Sequence, residues 1–447
     1  MSVEISKLGI AGYRQFHETL FDFTDPRTGK PLKKVCLIGG NGTGKSTVLR
    51  VLAKSLGIEG SQFVSSEGYF GIELKHEDSL FVHLFGKGPK TAKDSLFQMA
   101  LQPAWEDIQS LLNPNPFDIN TGYKAYEKPV VHLSTFLENQ NCIYCPADSE
   151  QSPMARTEVP QTNLDTALRA LKKPKRRQVI GQQNIGQFWT NLIGAIKKRE
   201  ADFLIYQSEP ANQERKIREV ADEFFRRNPD VLRELADFWD SILEKAGLEF
   251  DYENASVPIQ LSDNLKAYIR LRHSKDRVNY AELSAGIRNF IFKLGHIFTI
   301  FRGKTENRGI ILVDEPENSL YPDFLFDLVG HYERAAPGAQ LFMATHSPII
   351  AAQFRPEERF ILQFNDTGGV TVRRGVTPEG DDPNDVLLRD FAVRTLYGKV
   401  GLEKWKRFHE LDRLIQSEED STKRRALMKE YMDLGKAYNF APDEIPL

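Results

Sequence analysis

Gly39-Gly40-Asn41-Gly42-Thr43-Gly44-Lys45-Ser46 fits G-x-x-x-x-G-K-[ST], the pattern that wraps backbone N–H groups around phosphate. Glycines let the chain curl closely, and a helix starting there turns the positive end of its dipole toward the anion. Lys45 is placed to reach the β and γ phosphates of a nucleotide such as ATP, and Ser46 to ligate Mg2+. Read alone, the run is also a Gly-rich turn. Ile310-Ile311-Leu312-Val313-Asp314-Glu315 is an apolar strand ending in two carboxylates. Asp314 suits the metal, and Glu315 suits a base that polarises water. Alone, this run is a strand ending in surface acids. Ala344-Thr345-His346-Ser347-Pro348 follows, with His346 coming 31 residues after Glu315 (346 − 315). His346 is placed to hydrogen-bond a γ-phosphate or the water, although a single His after a strand is usually structural. The fourth motif is Glu282-Leu283-Ser284-Ala285-Gly286-Ile287-Arg288, which by itself is a Ser/Gly helix start before an apolar helix.

Such groups need rigid elements to hold them. Lys34–Ile38 is a short apolar run ending in glycines and predicts a buried parallel strand. Ser46–Leu56 has helical periodicity at Val48, Leu49, Leu52 and Leu56. Gly309–Asp314 and Leu341–Ala344 predict two further buried strands. Residues 3–24 alternate as strands, and residues 61–86 predict antiparallel strands carrying Phe63, Tyr69, Phe70, Phe81 and Phe85. From 150 to 246 strand signals vanish and helical patterns take over, as in Ile217–Phe225 and Val231–Leu243. The core resumes near Val257, and Gly286–Phe301 reads as an apolar helix. Phe360–Phe364 and Val370–Arg373 predict a strand pair around Asp366-Thr367-Gly368-Gly369. In the tail, Trp405, Phe408, Leu411 and Ile415 form one apolar stripe, and Leu427, Tyr431, Leu434 and Tyr438 another. Two amphipathic helices packed as a hairpin are expected. The organisation is therefore an α/β head with an antiparallel β subdomain. Residues 1–149 hold its first part, 150–256 a helical insertion, 257–375 its second part and 376–447 a helical tail.

Composition sets the outer bounds. The 447 residues predict roughly three domain-sized units, and an apolar fraction of 40% excludes wholly disordered and fibrous classes. With 59 Lys and Arg against 62 Asp and Glu, the net charge is −3, so any nucleic-acid contact must come from a local patch. The three cysteines, Cys36, Cys142 and Cys145, cannot form a disulfide framework, which favours a reducing compartment. No apolar run reaches a transmembrane length of about 18 residues. The N-terminus does not resemble a signal peptide, so a cytoplasmic protein without membrane contact is expected.

In chain order the phosphate loop, Leu283-Ser284-Ala285-Gly286, the Asp314-Glu315 pair and His346 resemble the ABC-type ATPases, with Leu283–Gly286 as the L-S-x-G signature. Three features resemble the SMC/RecF-like branch in particular. They are the opening Ile10–Phe16 with Leu20-Phe21-Asp22-Phe23, the run Asp314-Glu315-Pro316-Glu317-Asn318-Ser319-Leu320-Tyr321-Pro322, and Arg288 after the signature. Tyr321 stands where the branch usually has His, and Ala285 where the signature usually has a second Gly. The resemblance implies a homodimer that sandwiches two MgATP molecules. Residues 39–47 (Gly39 to Ser46, then Thr47) and Arg14 would bind nucleotide, and Ser46 and Asp314 would bind the metal. Lys45, Glu315 and His346 would be catalytic. Ser284 and Gly286 would close the site of the other subunit. Arg14 reads equally as a surface arginine on a strand, and Gln140 is the one candidate for the glutamine of the Q-loop.

No sustained heptads mark a long coiled-coil arm, and only 101 residues follow His346 (447 − 346), which read as strands and helices rather than the Toprim nuclease of the OLD class. The remaining architecture is similar to stand-alone ATPases of bacterial antiphage systems, such as PtuA of Septu and retron systems and AriA of PARIS. That resemblance implies a higher homo-oligomer, a separate nuclease or toxin effector and a phage-derived trigger. A RecF-like role in DNA repair or recombination is the alternative, and a transporter subunit fits least.

Three further patterns have plain readings. Cys142-Ile143-Tyr144-Cys145 lacks the second cysteine pair of a structural zinc site and reads as two free thiols on or beside a strand. Glu379-Gly380-Asp381-Asp382 mimics acidic nuclease residues but reads as a turn. Lys172, Lys173, Lys175, Arg176 and Arg177 form either a solvated helix end or a DNA-phosphate patch, with Lys197, Lys198 and Arg199 as a second group. Five neutralised phosphates would give a log–log salt slope of about −4.5.

Overall fold

Strands that are apolar at every position need cover on both faces, and this chain has several of them. In the computed structural model, Gly309–Asp314 and Gln340–Ala344 are buried along their whole length. The structure describes residues 3–58, 68–76, 79–87, 122–125, 137, 140–147, 165–166, 169, 171, 174–228, 231–250, 269–278, 283–302 and 309–440.

The chain opens with β1 (Glu4–Tyr13), β2 (Phe16–Asp22), β3 (Lys34–Gly39) and α1 (Lys45–Ser55). Next come β4 (Gly68–His76), β5 (Ser79–Lys87), β6 (Gly122–Ala125), β7 (Asn141–Cys145) and β8 (Arg177–Val179). A mainly helical stretch follows, with α2 (Gln182–Ser208), α3 (Ile217–Arg227), α4 (Val231–Leu243), β9 (Leu248–Phe250), β10 (Ile269–Leu271) and β11 (Arg277–Val278). The core resumes with α5 (Ala285–Phe301), β12 (Gly309–Asp314), α6 (Pro322–Leu325), α7 (Leu328–Ala335), β13 (Gln340–Ala344) and α8 (Pro348–Ala351). It ends in β14 (Arg359–Phe364), β15 (Val370–Arg374), α9 (Pro383–Arg389), α10 (Lys399–Ser417) and α11 (Ser421–Tyr438).

Among the described residues, the main sheet has the order β15-β14-β3-β13-β12-β7-β8. All neighbours in it are parallel except β15, which pairs antiparallel with β14. A second, antiparallel sheet has the order β2-β1-β4-β5-β6. Period-two alternation gives the main sheet one face of Val35, Leu37, Leu312, Phe342, Phe360 and Leu362, which packs with α1 and the antiparallel sheet in a single core. Phe23 anchors it, meeting Phe342 and Phe360 edge-on with ring centroids 5.0 Å apart in both pairs. α5 packs near β7 and gathers the inserted helices. Trp239 of α4 is buried and donates its indole N–H to Ile291 O at 3.0 Å, and Phe188 of α2 stacks on His296 at 4.8 Å.

One sequence expectation is corrected here. The span 150–256 is not wholly helical, because β8 pairs in parallel with β7 at the sheet edge. Arg177-Gln178-Val179 has no apolar run to announce it. It is held by backbone pairing to an edge that already exists, so no side-chain period is required. The strand pair around Asp366–Gly369 forms as expected.

Residues 1–380 form one compact unit and residues 381–447 another. Within the second, Trp405, Phe408, Leu411 and Ile415 are the buried stripe of α10. Phe408 stacks on Tyr431 of α11 at 4.1 Å, and Arg407 pairs with Glu430 at 2.9 Å. Asp420 caps α11 by accepting from Thr422 N at 2.8 Å and Lys423 N at 3.2 Å. Asp382 caps α9 in the same way, so the Glu379–Asp382 segment serves as a turn and a helix start. No described helix is long and apolar enough to cross a membrane.

Candidate active site

Register brings the motifs together. Asp314 is level with Ala344, and Ala344 with Leu37, so β12, β13 and β3 end side by side. Parallel sheets bind ligands at such carboxyl ends. Glu315 N donates to Ala344 O at 2.8 Å, and Thr345 N to Leu37 O at 3.1 Å. The loop Gly39–Ser46, the Asp314–Glu315 pair and His346 therefore leave three adjacent strands at one edge.

The loop is tightly constrained. Gly44 has φ 99° and precedes α1, and a Cβ there would strike the Phe16 ring, so glycine is required on both counts. Thr43 Oγ1 donates to Gly40 O at 2.9 Å. Lys45 is buried, its Nζ donating to Gly39 O at 2.9 Å and Gly40 O at 3.2 Å. Desolvation pushes its pKa down, opposed by Glu315, Asp314 and Glu317.

Ser46 Oγ donates to Asp314 Oδ1 at 3.0 Å, and Asp314 Oδ2 is buried with no hydrogen-bond partner. Burial pushes the Asp314 pKa up to about 6, reinforced by Glu315 and opposed by the Ser46 hydrogen bond, Arg50 and Lys45. An orphaned carboxylate oxygen beside a hydroxyl fits a hard cation. Mg2+ takes one or two carboxylates and completes its shell with water and phosphate oxygens. Among the described residues no cluster of three or more His, Cys, Asp or Glu suits another metal.

Glu315 sits in the left-handed region at φ 46°, a strained conformation for a non-glycine residue. Its Oε1 lies 3.8 Å from His346 Nε2, and its Oε2 accepts from Asn318 at 3.1 Å. The pKa of His346 is lowered by desolvation first and then by Lys45, with Glu315 opposing, so its imidazole is neutral at pH 7.

Glu317 is the functional residue that motif reasoning passed over. Its Oε1 accepts from Thr345 Oγ1 at 2.8 Å and from the His346 backbone N–H at 2.6 Å, so the loop after β12 clamps the loop after β13. Burial raises its pKa. The only sequence signal was its place in the Asp314–Pro322 run.

Arg14 is exposed in the β1–β2 turn at φ 52°, with its guanidinium over the Tyr13 ring at 5.2 Å. The turn touches the phosphate loop through its neighbour Gln15, whose Nε2 donates to Gly42 O at 2.8 Å. Ser284 is exposed at the N-terminus of α5 and accepts from Ile287 N at 3.3 Å. A Cβ on Gly286 would collide with the Ser319 carbonyl oxygen, so the signature segment lies directly on the loop that carries Glu315.

Gln140 is not at this edge. Asn141 is level with Gly309, so Gln140 precedes the amino ends of the parallel strands, about 17 Å of strand from the carboxyl ends. A glutamine serving the site must follow β7 rather than precede it. Cys36, Cys142 and Cys145 are buried and form no disulfide, and burial pushes the Cys142 thiol up to about 12, the opposite of a reactive thiolate. In the basic cluster, Lys175 and Arg176 are exposed and Arg177 begins β8, while Lys172 and Lys173 lie outside the described residues. In the second group, Lys198 pairs with Asp202 at 2.9 Å and Asp165 at 3.2 Å.

A glycine-rich loop between a strand and a helix, beside the carboxylates of a neighbouring parallel strand, defines a P-loop nucleotide-binding α/β protein. Residues 100–351, more than half of the chain, match the family model described as the AAA ATPase domain, and the chain belongs to that family. The match takes in Ser284, Asp314, Glu315 and His346 and begins beyond the phosphate loop. Among solved structures, the chain is similar to an SMC head bound to the C-winged helix domain of ScpA, with 13% identity and a TM-score of 0.41 over 83% of this chain and 97% of that one. It is also similar to an Smc head with an extended coiled coil bound to the C-terminal domain of ScpA from Pyrococcus furiosus (11%, TM-score 0.41, 83% and 96%). The SMC head domain from Thermotoga maritima is another such structure (12%, TM-score 0.39, 84% and 100%). No curated protein matches the chain.

Proposed function

We propose that this protein is a Mg2+-dependent ATPase of the SMC/RecF-like ABC type that hydrolyses ATP to ADP and phosphate. In this reading it is the cytoplasmic switch of an antiphage system, controlling a separate nuclease or toxin. The observation that carries the hydrolytic part is the Ser46–Asp314 hydrogen bond at 3.0 Å with its buried, unpartnered Asp314 Oδ2, next to the Glu315–His346 pair at 3.8 Å. The defence role draws on the sequence resemblance to stand-alone antiphage ATPases.

Ser46 and Asp314 would hold the metal, which when bound offsets the charge of the phosphates. Lys45 exchanges its carbonyl partners for phosphate oxygens. Backbone N–H groups of the loop and the start of α1 bind the same anion. Glu315 orients the attacking water and accepts its proton, and neutral His346 donates to the γ-phosphate. In a homodimer, Ser284 and Gly286 of the second copy would close the site, and hydrolysis would release it. A DNA contact would fall on Lys175, Arg176 and Arg177, together with Lys172 and Lys173.

Lys45→Ala is expected to weaken ATP binding by about 10- to 100-fold, the worth of a charge-assisted contact, and to abolish protection in a phage plaque assay on cells carrying the gene with its native neighbours. Unchanged ATP affinity would remove Lys45 from this role. If wild type leaves plaquing unchanged while Lys45→Ala sensitises cells to DNA damage, the repair role replaces defence for the same ATPase.

A further inference from the structure

The phosphate loop accounts for one end of a nucleotide and leaves the resting place of the base open. Three segments meet beside Gly42. The β1–β2 turn reaches it through Gln15, whose Nε2 donates to Gly42 O at 2.8 Å. The β14–β15 turn is tied to that same residue, with Val370 N donating to Gln15 O at 2.9 Å. Asn365 Oδ1 braces this second turn from inside, accepting from Thr367 N at 3.1 Å and Gly369 N at 2.8 Å.

Phe364 stands at the junction as the last residue of β14. It shares a strand face with Phe360 and Leu362, which are buried, but it runs past the covering layer and is 52% exposed. A methyl group at Gly42 would lie 4.0 Å from its ring. Because Leu362 of β14 is in register with Gly39 of β3, sheet pairing, rather than a loose loop, sets the ring's position relative to the phosphate loop. A single exposed apolar side chain needs no explanation. A rigidly mounted aromatic face beside a phosphate cradle is a different matter, because every nucleobase has a π-face that stacks on such a ring.

We propose that Phe364 is the stacking face for the base of the bound nucleoside triphosphate, and that it favours purines over pyrimidines by their larger ring area. This rests on the nucleotide reading of the phosphate loop. Arg14, exposed in the same turn as Gln15, carries its guanidinium over the Tyr13 ring and takes no part in this proposal.

The test is equilibrium binding of ATP, GTP, CTP and inorganic tripolyphosphate, each with Mg2+, to the full chain. Wild type, Phe364→Ala, Phe364→Tyr and Lys45→Ala are compared. Phe364→Ala should lose about 5- to 150-fold for ATP and GTP, the range for one base–aromatic stack, and should no longer discriminate against CTP. Tripolyphosphate, which has no base, should bind it as it binds wild type, and Phe364→Tyr should bind ATP normally. Unchanged ATP affinity in Phe364→Ala overturns the proposal, as does an equal loss of tripolyphosphate, which would make Phe364 a prop for the loop. Wild type binding tripolyphosphate as tightly as ATP removes the base face and leaves the phosphate site standing. Wild type binding neither removes both.

Discussion

Glu317 joins the loop after β12 to the loop after β13. Through Thr345 Oγ1 at 2.8 Å and the His346 N–H at 2.6 Å, it sets where His346 stands relative to Glu315. Glu317→Ala leaves both donors without their acceptor, so His346 drifts from its position. We expect kcat to fall at least about tenfold, consistent with losing roughly 1–3 kcal/mol of ordering, while ATP affinity stays within about threefold. Glu317→Gln should restore most of the rate, because an amide oxygen accepts the same two hydrogen bonds. A glutamine variant as slow as the alanine one would show that Glu317 acts through its charge instead. The contrast with Lys45, Asp314 and Glu315 is instructive. Those residues stand at fixed spacing inside motifs, so chemistry named them from the sequence. The role of Glu317 depends on a loop 28 residues away, and those of Gln15 and Phe364 depend on turns that only the tertiary structure brings to Gly42. The glutamine of the Q-loop has no legible position in the sequence, because a short apolar run does not reveal which of its ends faces the ligand, and the candidate Gln140 precedes β7.

At the scale of elements, the parallel strands carrying the site were legible because each is an uninterrupted apolar run with a polar group at its end. β8 was not, since an edge strand borrows its order from β7. The helices α5 and α7 contain a feature that no apolar pattern displays, two histidines held against aromatic rings, His331 buried and His296 half-buried. His296 stacks on Phe188, and His331 meets Phe290 edge-on and accepts from Arg334 at His331 Nδ1, 2.5 Å away. Desolvation pushes each down to about 4, with Arg334 adding to the effect on His331. The unfolded chain takes up these protons near the ordinary value of about 6.5, whereas the folded chain waits until about 4. Between those values the unfolded state binds more protons, so stability is full above pH 6.5 and falls as pH drops toward 4. Each histidine should account for about 2 kcal/mol of loss between pH 7 and pH 5. His331→Gln keeps an acceptor for Arg334 but does not titrate, and should flatten the pH dependence of urea unfolding by that amount. A slope equal to wild type would show that His331 titrates normally.

For the whole molecule, Ser284 is exposed at the N-terminus of α5 while Gly286 rests on Ser319. In the proposed sandwich, engagement of Ser284 by a nucleotide on a second copy would press on the same loop that carries Glu315. Glu315→Gln should therefore bind MgATP, stay paired and double its mass by light scattering, while Lys45→Ala should not. Glu315→Gln hydrolysing at the wild-type rate would end that role for Glu315. The strand order has a separate consequence, for how the protein is made. β3 lies between β13 and β14, and 320 residues separate Gly39 from Arg359 (359 − 39). At about 5–20 residues per second, the ribosome needs roughly 16–64 s to deliver the second neighbour. For most of that interval, until β13 arrives, the strand leading into the phosphate loop has two open edges, the condition under which strands pair with the wrong chain. The growing polypeptide must be kept from its neighbours until both partners of β3 have emerged, and it can first grip a nucleotide only once β14 has been made.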